Sequence, residues 1–107
     1  MSMKEKSVQC LGKTGFHKIA YTEWGSPDAA RTLICVHGLT RNGRDFDVLA
    51  SALEESYRII CPDIAGRGQS DWLSSGKHYY NPNYLADLAT LLAHVGVREV
   101  DWLGTSM

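Results

Sequence analysis

The sequence contains few cysteines and no long apolar run, and these shortages exclude several classes of protein. The cysteines at positions 10, 35 and 61 form no Cys-x-x-Cys pair and cannot all pair within one chain, so we expect a reduced, cytoplasmic protein. The longest strongly apolar runs cover only a few residues, far fewer than a membrane span needs. The charged N-terminus also lacks the apolar segment of a signal peptide. We therefore expect no membrane partner.

Basic residues are not in excess either. The 107 residues include 11 Lys and Arg against 12 Asp and Glu, and no stretch clusters basic side chains with interleaved aromatics. This balance argues against nucleic acid as a partner. With 44% hydrophobic and 21% charged residues, the composition is that of a folded chain rather than a disordered one. The length allows one domain at most.

Apolar segments predict one hairpin and three further strands. An alternating pattern from Ser7 onward, interrupted by a loop at Gly12–Gly15 and resumed over Phe16–Trp24, predicts an antiparallel hairpin. The run Arg31–Val36 is continuously apolar after its first residues, which is typical of a strand buried on both faces of a parallel sheet. Two more short apolar strands are predicted over Tyr57–Cys61 and Val97–Leu103.

Two segments with helical spacing lie between these strands. The first follows a predicted N-cap at Asn42–Asp45 and repeats apolar residues on one side: Phe46, Leu49, Ala50 and Leu53. The second opens with Asn81 as N-cap and Pro82, closes at Gly96, and carries a stripe of Leu85, Leu88, Ala89, Leu92 and Val95. Parallel strands need such crossovers, so the predicted fold class is α/β: a mostly parallel sheet, an antiparallel N-terminal hairpin and flanking helices.

The strand predicted over Val97–Leu103 has no helix after it in this sequence. A parallel strand needs helices over both faces of its sheet, so this one would leave apolar surface and an unpaired edge exposed. We therefore expect residues 1–107 to be the N-terminal portion of a single larger domain. Its C-terminal remainder, in the same chain or a separate one, is then an expected partner.

The first motif with chemical meaning is Gly104-Thr105-Ser106-Met107, directly after a predicted strand. In a strand-to-helix turn of the form Gly-x-Ser-x-Gly, small flanking residues allow a tight turn that lifts the serine side chain above the sheet. The second glycine would be residue 108, which the sequence does not contain. Because the half-motif is common by chance, an ordinary surface serine is the alternative.

Two other motifs also follow predicted strands. His37-Gly38 ends the first, and the backbone N–H of Leu39 just beyond it is suited to hold a developing oxyanion, since Gly38 allows close approach. The alternative is an ordinary turn in which His37 bonds nearby backbone. The other motif suits a tight loop whose side chains cap backbone groups, and we expect it to be structural: Asp63, Gly66, Gly68 and Ser70.

In this order, the three motifs resemble those of the α/β-hydrolase superfamily, over nearly the whole chain. The resemblance implies that Ser106 is the nucleophile and that the backbone N–H groups of Leu39 and Met107 form the oxyanion hole. Relatives that open epoxides or remove halides carry Asp at the nucleophile position. A serine there implies acyl transfer to water from a small-molecule ester, lactone, thioester or similar carbonyl substrate, through an acyl-enzyme.

The resemblance also implies that the acid and the histidine of the catalytic triad follow the serine in the chain. The four histidines all precede Ser106, and none lies where the family places its base: His17, His37, His78 and His94. We therefore expect residues 1–107 to be inactive without the remainder of the domain. No cofactor is expected, and we find no metal-ligand cluster of recognisable spacing.

Two functions other than catalysis stay open. An α/β-hydrolase fold can bind a small ligand without turning it over, and the fold alone does not decide between receptor and enzyme. Ser106 and the small residues around it favour catalysis, and a late histidine after an Asp or Glu would support the enzyme. Alternatively, the 107 residues act as a structural partner of another chain. The uncovered final strand argues against this alternative.

Overall fold

The computed structural model describes residues 3–38, 41–73 and 75–105. Its elements follow in the predicted order: β1 (Lys4–Gly12), β2 (Gly15–Trp24), β3 (Arg31–Val36), a 3-10 turn (Gly43–Phe46), α1 (Asp47–Leu53), β4 (Tyr57–Pro62), a second 3-10 turn (Gly76–His78), α2 (Asn81–Val95) and β5 (Asp101–Gly104). The five strands form one sheet in the order β1-β2-β4-β3-β5. The α/β class predicted from the sequence is confirmed.

The hairpin and the parallel strands pair as expected. β1 and β2 run antiparallel with Gly12 opposite Gly15, and β2 is antiparallel to β4. β3 lies between β4 and β5 and is parallel to both. The hairpin begins three residues earlier than predicted, because the charged residues 4–6 pair with the end of β2 along the exposed sheet edge. Because β3, β4 and β5 are parallel, their carboxyl ends lie together at the same end of the sheet.

Each face of the sheet is covered by one helix, because successive side chains of a strand point to opposite faces. Ile34 and Val36 pack with Leu88 and Leu91 of α2 on one face. On the other face, Leu33 and Cys35 belong to a second cluster that contains Ala50 of α1. The predicted burial of β3 on both faces is confirmed, since the strand is buried from Thr32 onward.

The α2 helix differs from the prediction at its start and in the face it buries. Asn81 lies inside the helix, and Tyr80 is the N-cap without a side-chain hydrogen bond, so the predicted Asn81 cap is wrong. Leu85 is 57% exposed and Ala89 is also exposed, whereas the buried residues are Tyr84, Asp87, Leu88 and Leu91. Asp87 lies on the buried face because its carboxylate pairs with His17 of the hairpin. At its end, Gly96 adopts the predicted left-handed conformation.

The strand predicted over Val97–Leu103 is β5 and begins later, at Asp101. Val97 is unavailable to a strand because its N–H donates to the Leu92 carbonyl and closes the helix. Trp102 is 50% exposed, which agrees with the apolar surface predicted for this edge. Within the described ranges, no helix combines the length and the apolar character needed to cross a membrane.

Candidate active site

The carboxyl ends of β3, β4 and β5 bring the three sequence motifs to one edge of the sheet. Gly104 pairs with Val36 across the parallel β3/β5 ladder. The N–H of Thr105 then donates to the Val36 carbonyl at 3.0 Å, which holds the residue before Ser106 against the end of β3. The predicted nucleophile and oxyanion-hole residues, Ser106, Leu39 and Met107, lie outside the described residues, so their roles stay predictions.

His37 is wholly buried and joins the end of β3 to the loop after β4. Its Nε2 accepts a hydrogen bond from the Ile64 N–H at 2.9 Å, so the neutral ring carries its proton on Nδ1, which donates to the Gly38 carbonyl at 2.7 Å. Burial lowers the pKa of the imidazole below its ordinary value, although the Gly38 hydrogen bond and the Asp63 charge oppose this. His37 therefore bonds nearby backbone through both nitrogens and is not placed to act as a general base.

Asp63 fastens the loop after β4 to its surroundings. Its Oδ1 accepts from the Gly43 N–H at 2.7 Å and its Oδ2 accepts from the Gln69 N–H at 2.9 Å. The Asp63 N–H donates to the Ala20 carbonyl at 2.8 Å, and the Asp63 carbonyl accepts from the Ser70 hydroxyl at 2.6 Å. The side chain thus holds the loop and the turn before α1 in a fixed relation, as expected for a structural role.

The other residues of this motif complete the same loop. Ser70 is buried, and its hydroxyl oxygen also accepts from the Ala20 N–H at 2.8 Å. Gly68 has a φ of 52°, and a Cβ there would collide with the Asp63 carboxylate. Gly66 has a φ of 80°, and a Cβ there would lie 2.7 Å from the Tyr79 ring. Both positions require glycine, so the motif is a loop that packs backbone tightly beside the strand ends.

A second group of reactive side chains lies elsewhere, at the hairpin, and sequence reasoning missed it. Cys10 and His17 are opposite each other in the β1/β2 register, and Asp87 reaches them from α2. His17 Nε2 lies 2.8 Å from Asp87 Oδ2, and all three side chains are buried. The hairpin loop sets Cys10 opposite His17, but no local pattern in the sequence indicates that Asp87 of the distant helix faces them.

Burial dominates the electrostatics of this group. It raises the pKa of the Cys10 thiol to about 12, with the charge of Asp87 as the second cause. Burial also raises the pKa of the Asp87 carboxyl, against the opposing hydrogen bond and charge of His17. The remaining sulfur contact is weak, because Cys10 Sγ lies 3.8 Å from the Asp87 carbonyl oxygen. A cavity of about 330 Å³ opens beside the pair and is lined by both His17 and Asp87.

Comparison with known proteins gives concordant results. The sequence profile of the alpha/beta hydrolase fold matches residues 31–107. The chain is 55% identical over 100 residues to the 3-hydroxybutyrate-oligomer hydrolase of Cupriavidus necator. The matched region covers 94% of this chain and 34% of that protein. It therefore spans about a third of that relative's length.

Solved structures show the same similarity in three dimensions. An alpha/beta hydrolase from Novosphingobium aromaticivorans superposes with a TM-score of 0.82 at 30% identity, over 97% of this chain and 35% of that one. The thioesterase domain from the curacin biosynthetic pathway superposes with a TM-score of 0.88 at 27% identity, over 100% of this chain and 38% of that one. The chain belongs to the alpha/beta hydrolase fold family and has hydrolases among its relatives.

Proposed function

We propose that the complete protein is a serine hydrolase that cleaves short oligoesters of 3-hydroxybutyrate or closely similar hydroxyacid esters. The observation that carries this proposal is the 55% identity, over 94% of this chain, to a 3-hydroxybutyrate-oligomer hydrolase. The two solved structures described above support the fold and hydrolase chemistry, but they do not agree on a substrate. One of them is a thioesterase domain, and its identity to this chain is only 27%.

The proposed chemistry uses the strand-end motifs. The Ser106 hydroxyl oxygen attacks the ester carbonyl carbon, and the backbone N–H groups of Leu39 and Met107 stabilise the oxyanion. The attack forms a tetrahedral intermediate. Its collapse breaks the ester bond, releases the alcohol end of the oligomer together with the proton from the Ser106 hydroxyl, and leaves an acyl-enzyme. Water then attacks the acyl-enzyme, which releases the acid and restores the Ser106 hydroxyl. His37 supports this arrangement only by positioning the end of β3.

The base and the acid of the triad are proposed to lie in the part of the domain beyond these 107 residues. Two observations support this: the relative is about three times as long as the matched segment, and both nitrogens of His37 are bonded to backbone. Residues 1–107 alone are then expected to be inactive. The small-ligand receptor remains the alternative that the experiment below must exclude, and the cytoplasmic location expected from the cysteine content stays a prediction.

Hydrolysis of linear 3-hydroxybutyrate dimers and trimers by the full-length protein tests the proposal. We expect turnover that Ser106→Ala reduces by at least about 10³-fold with unchanged folding, because the nucleophile is removed. The matched control is Ser51→Ala, at an exposed serine of α1 whose hydroxyl donates to the Val48 carbonyl one turn earlier, and it should keep full activity. Binding of the trimer without turnover would identify a receptor and overturn the proposal.

A further inference from the structure

Three potential metal ligands converge from three elements at the hairpin end of the sheet. Cys10 of β1 and His17 of β2 face each other across the antiparallel ladder, and Asp87 approaches from α2. All three residues are buried, with Cys10 wholly inaccessible. The sulfur, the ring nitrogen and the carboxylate oxygen lie within 4.8 Å of one another. The ligand atoms are therefore grouped by rigid, hydrogen-bonded elements rather than by a mobile loop.

The spacing of these atoms is close to that of a tetrahedral zinc site. Zinc binds Cys sulfur at about 2.3 Å and His nitrogen or carboxylate oxygen at about 2.0–2.2 Å, which places ligand atoms roughly 3.3–3.8 Å apart. The pair of His17 Nε2 and Asp87 Oδ2, at 2.8 Å, would open by roughly half an ångström. The sulfur lies within 4.8 Å of the other two ligand atoms and would move toward them by up to about 1 Å. Such shifts are within the reach of side-chain rotation alone.

The chemistry of the ligand set selects the class of ion. A thiolate with an imidazole and a carboxylate suits zinc and similar transition-metal cations, whereas magnesium and calcium prefer oxygen ligands. Binding would replace the Cys10 thiol proton with the metal–sulfur bond and release that proton to solvent. The metal charge would also balance the buried Asp87 carboxylate, whose side-chain partner is His17.

The surroundings leave a fourth coordination position and a path for the ion. The cavity of about 330 Å³ opens onto His17 and Asp87, and His78 and Asn83 also line it. Water from the cavity could complete a tetrahedral shell. A buried ion pair that only fastened the hairpin to α2 would need no thiol, yet Cys10 stands directly opposite His17.

We infer that Cys10, His17 and Asp87 form a binding site for one zinc-like divalent cation, separate from the strand-end motifs. The ion would bind β1, β2 and α2 together and thereby stabilise the hairpin edge of the sheet. The inference does not depend on hydrolase activity, because none of the three residues belongs to the proposed catalytic machinery.

Cobalt substitution in the full-length protein tests this inference. After removal of metals with a chelator, titration with Co²⁺ should produce a thiolate-to-cobalt charge-transfer absorption that saturates at one ion per chain, and Zn²⁺ should displace it. Cys10→Ser should abolish this absorption and weaken Zn²⁺ binding at least tenfold. Asp87→Asn should weaken Zn²⁺ binding while it keeps a cobalt–thiolate absorption.

Matched controls distinguish this site from other thiols and from the enzyme. Cys35→Ala, at another buried cysteine, and Ser106→Ala should both keep wild-type absorption and affinity. If Cys10→Ser fails to fold, the wild-type protein and Asp87→Asn still decide the question through Zn²⁺ affinity. The inference is overturned if the wild-type protein shows no charge-transfer absorption, if Cys10→Ser retains it, or if Asp87→Asn binds Zn²⁺ as tightly as the wild type.

Discussion

Two buried histidines, His17 in β2 and His37 directly after β3, have surroundings that give them different chemistry. His37 bonds the backbone of Gly38 and Ile64, so the fold holds it neutral and uses it to join two strand ends. His17 instead bonds a carboxylate, that of Asp87, across 70 positions of sequence. Backbone partners make a histidine part of the scaffold, whereas a side-chain carboxylate and a nearby thiol make it a potential ligand.

The largest expected effect comes from His37→Ala. This change leaves the Ile64 N–H without its acceptor and the Gly38 carbonyl without its donor, and it creates a cavity where the ring is wholly buried. We expect a loss of about 3–5 kcal/mol in the free energy of unfolding, measured by urea denaturation. His94→Ala, at an exposed histidine of α2, should change it by less than about 0.5 kcal/mol. Equal effects would refute the scaffold role of His37.

Asp87→Ala should have the next largest effect. It removes the carboxylate that bonds the buried His17 ring, so we expect a loss of about 2–4 kcal/mol in the free energy of unfolding. The control is Asp101→Ala, which breaks an exposed ion pair with Arg31 and should change stability little. Thermal unfolding of both variants measures the difference. A loss no greater than that of the control would show that the buried pair does not stabilise the hairpin.

Gly68→Ala tests the backbone geometry of the loop after β4, which His37 contacts through the Ile64 N–H. The residue has a φ of 52°, and its new Cβ would collide with the Asp63 carboxylate, so we expect a loss of about 2–3 kcal/mol. Gly76→Ala is the matched control, because a Cβ there meets nothing within 4 Å. If both substitutions are equally tolerated in denaturant unfolding, the loop does not depend on the contacts described for Asp63.

The smallest expected effect is the dependence of the free energy of unfolding on pH that arises from His37. Because the pKa of His37 in the folded state lies below its ordinary value of 6.5, the unfolded chain binds more protons as the pH falls through 6.5. Stability from this group is therefore present above pH 6.5 and declines below it, by at most about 1.4 kcal/mol per pH unit.

Urea unfolding at pH 7 and at pH 5.5 measures this decline. His37→Gln removes the titrating group, so its loss of stability between the two pH values should be smaller than that of the wild type. The other three histidines are the same in both proteins, so their contributions cancel in the difference. An identical decline in the two proteins would contradict the assignment of a depressed pKa to His37.

Most of the fold could be predicted from the sequence, because the patterns that specify it are local. The range Arg31–Val36 of β3 follows from its apolar run, and the left-handed Gly96 from the end of a helical stripe. The buried face of α2 could not be predicted, because it depends on the distant partner His17. Leu85 is apolar yet exposed, and Asp87 is charged yet buried.

The candidate active site divides in the same way. The glycines and Asp63 of the loop after β4 could be identified as structural from their residue types, since tight turns require them. The partner of Asp63 at Gly43 could not, because that contact joins two loops separated by 20 positions of sequence. The roles of Ser106, Leu39 and Met107 come from motif resemblance alone and remain predictions.

Covalent labelling of the full-length protein with a fluorophosphonate tests the proposed nucleophile most directly. An activated serine oxygen displaces fluoride and keeps the phosphonyl group, so intact mass and peptide mapping should place one adduct on Ser106. The Ser106→Ala variant should remain unlabelled under the same conditions. Absence of an adduct from the folded wild-type protein, or an adduct on another residue with Ser106 unmodified, would contradict the proposal that the protein is a serine hydrolase acting through Ser106.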